Sequence, residues 1–165
     1  MQVMVSVGTD HHPFDRLVDW ASRWAAEHPD DEVVIQFGDS TPPSAGQAHR
    51  LFDRTTMGAQ IRAADLVVIS CGPGGVMDVR ATGRLPVVMA RRGDLGEHVD
   101  DHQAAFAEHL DSVGLARRIE SEADFRQVLL EAAEHRRRFR VEIDNTEPSG
   151  IATTGRLIDE LVRGT

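Results

Sequence analysis

Residues 65–103 read D-L-V-V-I-S-C-G-P-G-G-V-M-D-V-R-A-T-G-R-L-P-V-V-M-A-R-R-G-D-L-G-E-H-V-D-D-H-Q. Leu66 to Ser70 is a short run rich in β-branched residues, the composition of a strand buried on both faces. Three glycines and a proline break it across residues 71–75. Residues 76–82 can continue as a helix, with Gly83 at its C-cap position. Residues 86–90 make a second buried strand. Strand, glycine loop, helix and strand form one βαβ unit. Such a unit sets free backbone N–H groups and a helix N-terminus at the C-terminal edge of a parallel sheet, where a phosphate can bind.

Upstream, residues 2–7 predict a first strand, ended by Gly8-Thr9. Pro13 suits the first helical position. Phe14, Leu17, Val18, Ala21, Trp24 and Ala25 then share one helical face, closed by His28-Pro29, with Trp20 at the rim of the stripe. Residues 32–37 are a second strand. Residues 38–47 hold Asp39, Ser40, Pro42, Pro43 and Gly46 and read as a long loop, a length that favours function over mere connection. Residues 56–64 predict a short helix with Met57, Ile61 and Ala64 inward.

Downstream, polar residues 94–103 lead into a helix with Val99, Gln103, Phe106, Leu110 and Val113 on one face. Residues 115–119 are a last strand. Ser121 caps a further helix with Phe125, Val128, Leu129, Ala132 and Ala133 inward. Arg136 to Arg138 read as a solvated face. Residues 145–150 break the pattern, and Thr153 or Thr154 caps a closing helix over 151–163 carrying Leu157, Ile158, Leu161 and Val162. The alternation predicts one α/β domain over residues 1–165, a Rossmann-like parallel sheet with helices on both faces.

The 165 residues allow one domain with a real core. No apolar run is long enough to span a membrane, and residues 1–8 carry no cleavage signal. One cysteine excludes an internal disulfide framework and suits a reducing cytoplasm. A net charge of −9 argues against general nucleic-acid binding. With no tyrosine and 5% aromatic residues, base-stacking platforms are not expected.

Four groups of residues carry chemistry. Gly72, Gly74 and Gly75 let the backbone approach a diphosphate with no Cβ in the way. Asp78, in the first turn of the helix that follows, can take a pair of ribose hydroxyls or simply face the helix dipole. The dinucleotide form of the motif does not fit, because glycine is absent at Met77 and no acid follows the next strand. Glu97 to Gln103 places His98 and His102 four apart with acids between. Lacking the H-E-x-x-H order, it reads as an edge that meets sugar hydroxyls, and no metal is expected. Gly8 and Thr9, with His11 and His12 beside them, end the first strand on the same edge, where N–H groups and the Thr9 hydroxyl can reach a phosphate or form a capping turn. Arg91 and Arg92 end a strand there too, one as a candidate to neutralise diphosphate charge.

V-G-T-D-H-H-P-F-D-R-L-V, A-D-L-V-V-I-S, the glycine loop with M-D, A-T-G-R-L-P-V-V-M and E-H-V-D-D-H-Q occur in that order. Together they resemble, over residues 3–110, the C-terminal donor-binding domain of glycosyltransferase family 28. Its stand-alone single-domain members, the eukaryotic type and the bacterial exopolysaccharide subunits, are the most similar. A peptidoglycan enzyme carries the same domain fused to an acceptor domain. The resemblance implies one C-terminal half of a GT-B glycosyltransferase, the donor-binding subunit of a two-component inverting enzyme in polysaccharide or lipid-linked saccharide synthesis. The donor would be a UDP-sugar, with no cofactor and no metal.

By the same resemblance Asp78 stands where the family has its ribose-binding acid, usually Glu. Gly72, Gly74 and Gly75 match the diphosphate loop, Gly8 and Thr9 the first phosphate-side loop, and Gln103 with Asp101 and His102 the segment that reads the donor sugar. The sequence departs from the family at Cys71, where many relatives have histidine, and in a glycine loop one residue shorter. The partner implied is a membrane-anchored, acceptor-binding subunit that holds the chain at the inner face of the membrane. The closing helix with Arg136 to Arg138 is the expected docking surface, Trp20 the second, and no nucleic acid is expected. The general base belongs to the acceptor half, with His11 and His12 the candidates on this chain.

Two other readings are open. One is a regulatory or scaffold subunit with the same fold and no donor. The other is a nucleotide phosphoribohydrolase-like enzyme, suggested by G-P-G-G-V-M-D, whose second motif P-G-G-x-G-T is missing where Arg91-Arg92-Gly93-Asp94 stands.

Overall fold

The computed structural model describes residues 1–142. Along them run β1 (Gln2–Ser6), α1 (Asp15–Glu27), β2 (Glu32–Gln36), β3 (Gln47–His49), α2 (Arg54–Ala63), β4 (Leu66–Ser70), α3 (Pro73–Arg80), β5 (Val87–Met89), α4 (His102–Ser112), β6 (Arg117–Ile119) and α5 (Glu122–Glu134). The strands form one sheet in the order β3-β2-β1-β4-β5-β6, and every pairing is parallel. β4 is buried along its whole length, as a β-branched run between two helical layers should be.

Strand residues alternate between the two layers. Val3, Val5, Leu66 and Val68 pack with Leu17, Val18, Ala21 and Trp24 of α1 and with Phe125, Val128 and Leu129 of α5. Met4, Val67 and Ile69 pack on the other face with Ile61 of α2, Val76 and Val79 of α3, and Phe106 and Leu110 of α4. The fold is therefore the expected Rossmann-like sheet, wound on both sides. Trp20 lies at the rim of the first layer, half-buried against Phe125 with ring centroids 6.2 Å apart. Asp53 caps α2, and Ser121 caps α5 in a full capping box with Asp124, worth about 1 kcal/mol for such a cap.

Several expectations are corrected. The loop over residues 38–47 runs into a sixth strand, β3, whose Gln47, Ala48 and His49 are all exposed. α3 starts at Pro73 rather than at residue 76, so Gly74 and Gly75 belong to its first turn and Asp78 to its second. Val99 is 77% exposed and lies outside α4. Gly96, at φ 71°, closes a short turn of 3-10 helix over Gly93–Leu95 and keeps the chain from entering a helix there. Val113 and Ala133 also face solvent. The closing helix over 151–163 and the breaker at 145–150 lie outside the described residues.

Candidate functional site

The chain winds outward from β1 to β2 and β3, then crosses back to β4 and winds the other way. The C-terminal ends of β1 and β4 are therefore the switch point of the sheet, where a crevice opens. Ser6 and Ile69, at those ends, form part of the floor of a cleft of about 640 Å³. Gly8 and Thr9 from the loop after β1, Gly74, Gly75 and Asp78 from α3, and Phe52, Met57 and Gly58 from the α2 side line its walls.

The floor is fixed by an amide that sequence reasoning did not single out. Gln36, 1% exposed at the end of β2, donates from Nε2 to Ser6 Oγ at 3.0 Å and to the Gly8 carbonyl at 3.2 Å. Its Oε1 accepts from the Phe52 N–H at 2.9 Å. A lone glutamine ending a β-branched strand was the available signal, since a buried amide demands partners. Gly8 is required in turn. It holds φ 80°, and a Cβ there would stand 3.0 Å from Ser70 Oγ.

At the second wall, α3 has Gly72 as N-cap with no side-chain cap and Pro73 just inside. The Gly74 and Gly75 N–H groups lie in the first turn, where an α-helix has no partner for them. Unlike α2 and α5, this end has no capping side chain. A Cβ on Gly72 or Gly74 would meet nothing within 4 Å, so packing within the chain does not require glycine at either place. Asp78 is exposed on the second turn, beside the cleft.

The remaining candidates stand elsewhere. Gly72 does not line the cleft. Asp101 caps nothing by its side chain; it accepts from the Gly93 N–H at 2.7 Å and lines a separate cleft of about 570 Å³ at the ends of β5 and β6, with Arg16, Arg92 and Arg118. His102 is exposed and its Nδ1 lies against Asp100. Gln103 is 6% exposed, and its amide oxygen accepts from the Arg91 N–H at 3.2 Å. His11 is exposed, with its ring 4.0 Å from that of His12.

The expectation that Arg91 or Arg92 neutralises a diphosphate is corrected for Arg91. Arg91 is 1% exposed and spends its guanidinium on the carbonyls of His12, Glu97 and Val7 at 2.7–2.9 Å. Arg92 is exposed and chelated by Asp94. Glu97, also buried, grips Arg16 through both oxygens at 2.6 and 2.7 Å. This network ties the loop after β1 to the loop after β5. Asp10 belongs to it. Burial raises its carboxyl pKa, but hydrogen bonds from His12 and the charge of Arg91 outweigh that and hold it below the usual range. Cys71 is buried at the end of β4, and burial pushes its thiol up to about 12. It packs in the apolar core beneath α3 with Ile69 and Val76, with no thiolate for chemistry at neutral pH.

A family model described as the glycosyltransferase family 28 C-terminal domain matches residues 2–153. Two solved structures share the fold. The glycotransferase of kitacinnamycin is 23% identical, with 83% of this chain and 36% of that chain covered and a TM-score of 0.58. CalG4, the calicheamicin glycosyltransferase, is 18% identical, with 83% of this chain and 36% of that chain covered and a TM-score of 0.60. At these identities the likeness is one of fold, that of the C-terminal half of a GT-B glycosyltransferase. No curated protein matches the chain.

Proposed function

The chain belongs to the glycosyltransferase family 28 C-terminal domain family, and on that premise we propose that it is the donor-binding subunit of a two-component inverting glycosyltransferase. The observation that carries this reading is the cleft at the switch point. It unites Gly8 and Thr9 with Gly74, Gly75 and Asp78, groups that the chain separates by more than sixty residues. A UDP-sugar suits that cleft. Its diphosphate lies against the uncapped first turn of α3 and the Gly8-Thr9 loop, where N–H groups and the helix dipole meet the negative charge without a metal. Asp78 accepts from the ribose hydroxyls. Phe52 and Met57 offer an apolar wall for the base.

The donor sugar points toward the loop after β5. Asp101 and His102 are exposed there, and Gln103 has its amide oxygen committed, so its amide N–H₂ is the group for a sugar hydroxyl. UDP as carrier, the inverting course and the membrane-anchored acceptor-binding partner rest on the family resemblance. Among the described residues no helix is long and apolar enough to cross a membrane; on this reading the chain reaches a lipid-linked or saccharide acceptor by docking on that partner. The exposed Arg136 to Arg138 fit such a docking surface.

Asp78→Ala should weaken UDP binding by about 1–3 kcal/mol, the cost of losing hydrogen bonds to a charged acceptor. Titration calorimetry with UDP checks it. Unchanged affinity would remove Asp78 from the ribose. Absence of UDP binding by the native chain would instead favour the scaffold reading, for which the buried Cys71 in place of the family's histidine speaks.

A further inference from the structure

A second group of side chains meets outside the donor cleft. The loop after β1 brings Asp10, His11 and His12, and the turn before α4 brings His98, Asp100 and His102. In each trio the ligand atoms lie within 4.8 Å of one another. The two trios touch through His98, whose Nε2 stands 3.8 Å from Asp10 Oδ2 and whose Nδ1 stands 3.2 Å from Asp100 Oδ1. We propose that His98 Nδ1, Asp100 Oδ1 and His102 Nδ1 bind one divalent transition-metal ion of the zinc class, with Asp10 orienting His98 from behind.

The H-x-D-x-H spacing does not work here as a helix face. Residues 98–101 precede α4, which begins at His102, and the turn folds the three side chains toward one point. The backbone N–H of Asp100 donates to His98 Nδ1 at 3.4 Å, so that nitrogen is unprotonated and faces into the turn, and an ion bound there would displace this long contact. Its other nitrogen then carries the proton and faces the Asp10 carboxylate. A ligating imidazole whose far N–H meets a carboxylate is the usual supported arrangement. Asp10 is itself held by the His12 N–H at 2.8 Å and His12 Nδ1 at 2.7 Å. Asp100 Oδ1 lies against both His98 Nδ1 and His102 Nδ1, so the carboxylate stands between the two imidazole nitrogens, and a bound ion would take the place of the proton that His102 Nδ1 shares with it.

Two imidazoles and one carboxylate select zinc, nickel or cobalt over magnesium or calcium. Asp100 and His102 are 55% and 57% exposed, so water completes the coordination and leaves an open position.

The test uses the tag-free full chain, stripped with EDTA and titrated with Co²⁺ and with Zn²⁺ by calorimetry, Co²⁺ also by visible absorption. One ion should bind per chain, with the absorption of an imidazole–carboxylate site. His98→Gln and His102→Ala should each weaken binding at least about tenfold, and Asp10→Asn, whose carboxylate stands 3.8 Å from His98 Nε2, should weaken it less than either. His135→Ala should change nothing. His98→Gln keeps a polar side chain in the turn, and circular dichroism checks that each variant is folded. No saturable one-to-one binding would overturn the proposal. So would binding that survives His98→Gln and His102→Ala but is lost on replacing His11 and His12. UDP affinity, measured with and without EDTA, should not change, which keeps this result separate from the donor reading.

Discussion

Purified alone, this chain should transfer sugar at least about 100-fold more slowly than together with the acceptor-binding partner proposed above, the contribution of a positioned general base. The GT-B site lies between two domains, and this chain spans 36% of the length of either glycosyltransferase that it resembles in structure. The bases on its own edge are poorly placed. His11 is exposed, His12 hydrogen-bonds Asp10 at 2.7 Å, and neither lines the donor cleft. An inverting transfer needs a base within hydrogen-bond reach of the acceptor hydroxyl, and on the two-component reading proposed above the acceptor-binding partner supplies it. The assay combines a UDP-sugar with a polyprenyl-linked or saccharide acceptor, with and without the co-expressed partner. Full turnover by the isolated chain would end the two-component account.

Arg91→Met should cost about 3 kcal/mol of stability or more, because three carbonyls lose their donor at about 1–3 kcal/mol each. Methionine keeps much of the apolar stem and its contact with Phe14, whose ring centroid is 4.8 Å from the guanidinium. It leaves the carbonyls of Val7, His12 and Glu97 without their donors, each worth about 1–3 kcal/mol when buried and unpaired. Urea unfolding followed by circular dichroism reads the loss. A change below about 1 kcal/mol would mean that water replaces the guanidinium and that Arg91 is not the clamp between the two loops.

What could be read from sequence follows from where the signals are local. β4 lies at Leu66–Ser70 as read, because a β-branched run between two breakers has one solution. The loop composition of residues 38–47 hides the start of β3, since Gln47, Ala48 and His49 are all exposed and carry no hydrophobic alternation; only pairing with β2 makes them a strand. α3 starts three residues before the sequence expectation although Pro73 is a first-turn signal, since three glycines together weigh toward loop. That shift matters for function. It moves Gly74 and Gly75 from a loop into a helix N-terminus and Asp78 into the second turn.

The network around Arg91 was not legible. Its partners His12 and Val7 are 79 and 84 positions away, and an arginine ending a strand looks the same in sequence whether it meets a ligand or the chain's own carbonyls. The convergence of Asp10 with His98 was hidden for the same reason. Gln36 was legible as an odd amide in a strand, but not its role as the pin under Gly8.

The central claim is that a nucleotide diphosphate occupies the cleft between the loop after β1 and the N-terminus of α3. Its most direct test is the ¹H–¹⁵N correlation spectrum of the labelled full chain titrated with UDP. The account predicts the largest shifts at the amides of Gly8, Thr9, Gly74, Gly75 and Asp78, with β3 and the first turn of α5 unmoved. Saturable shifts confined to other surfaces, or no shifts at all, would contradict it.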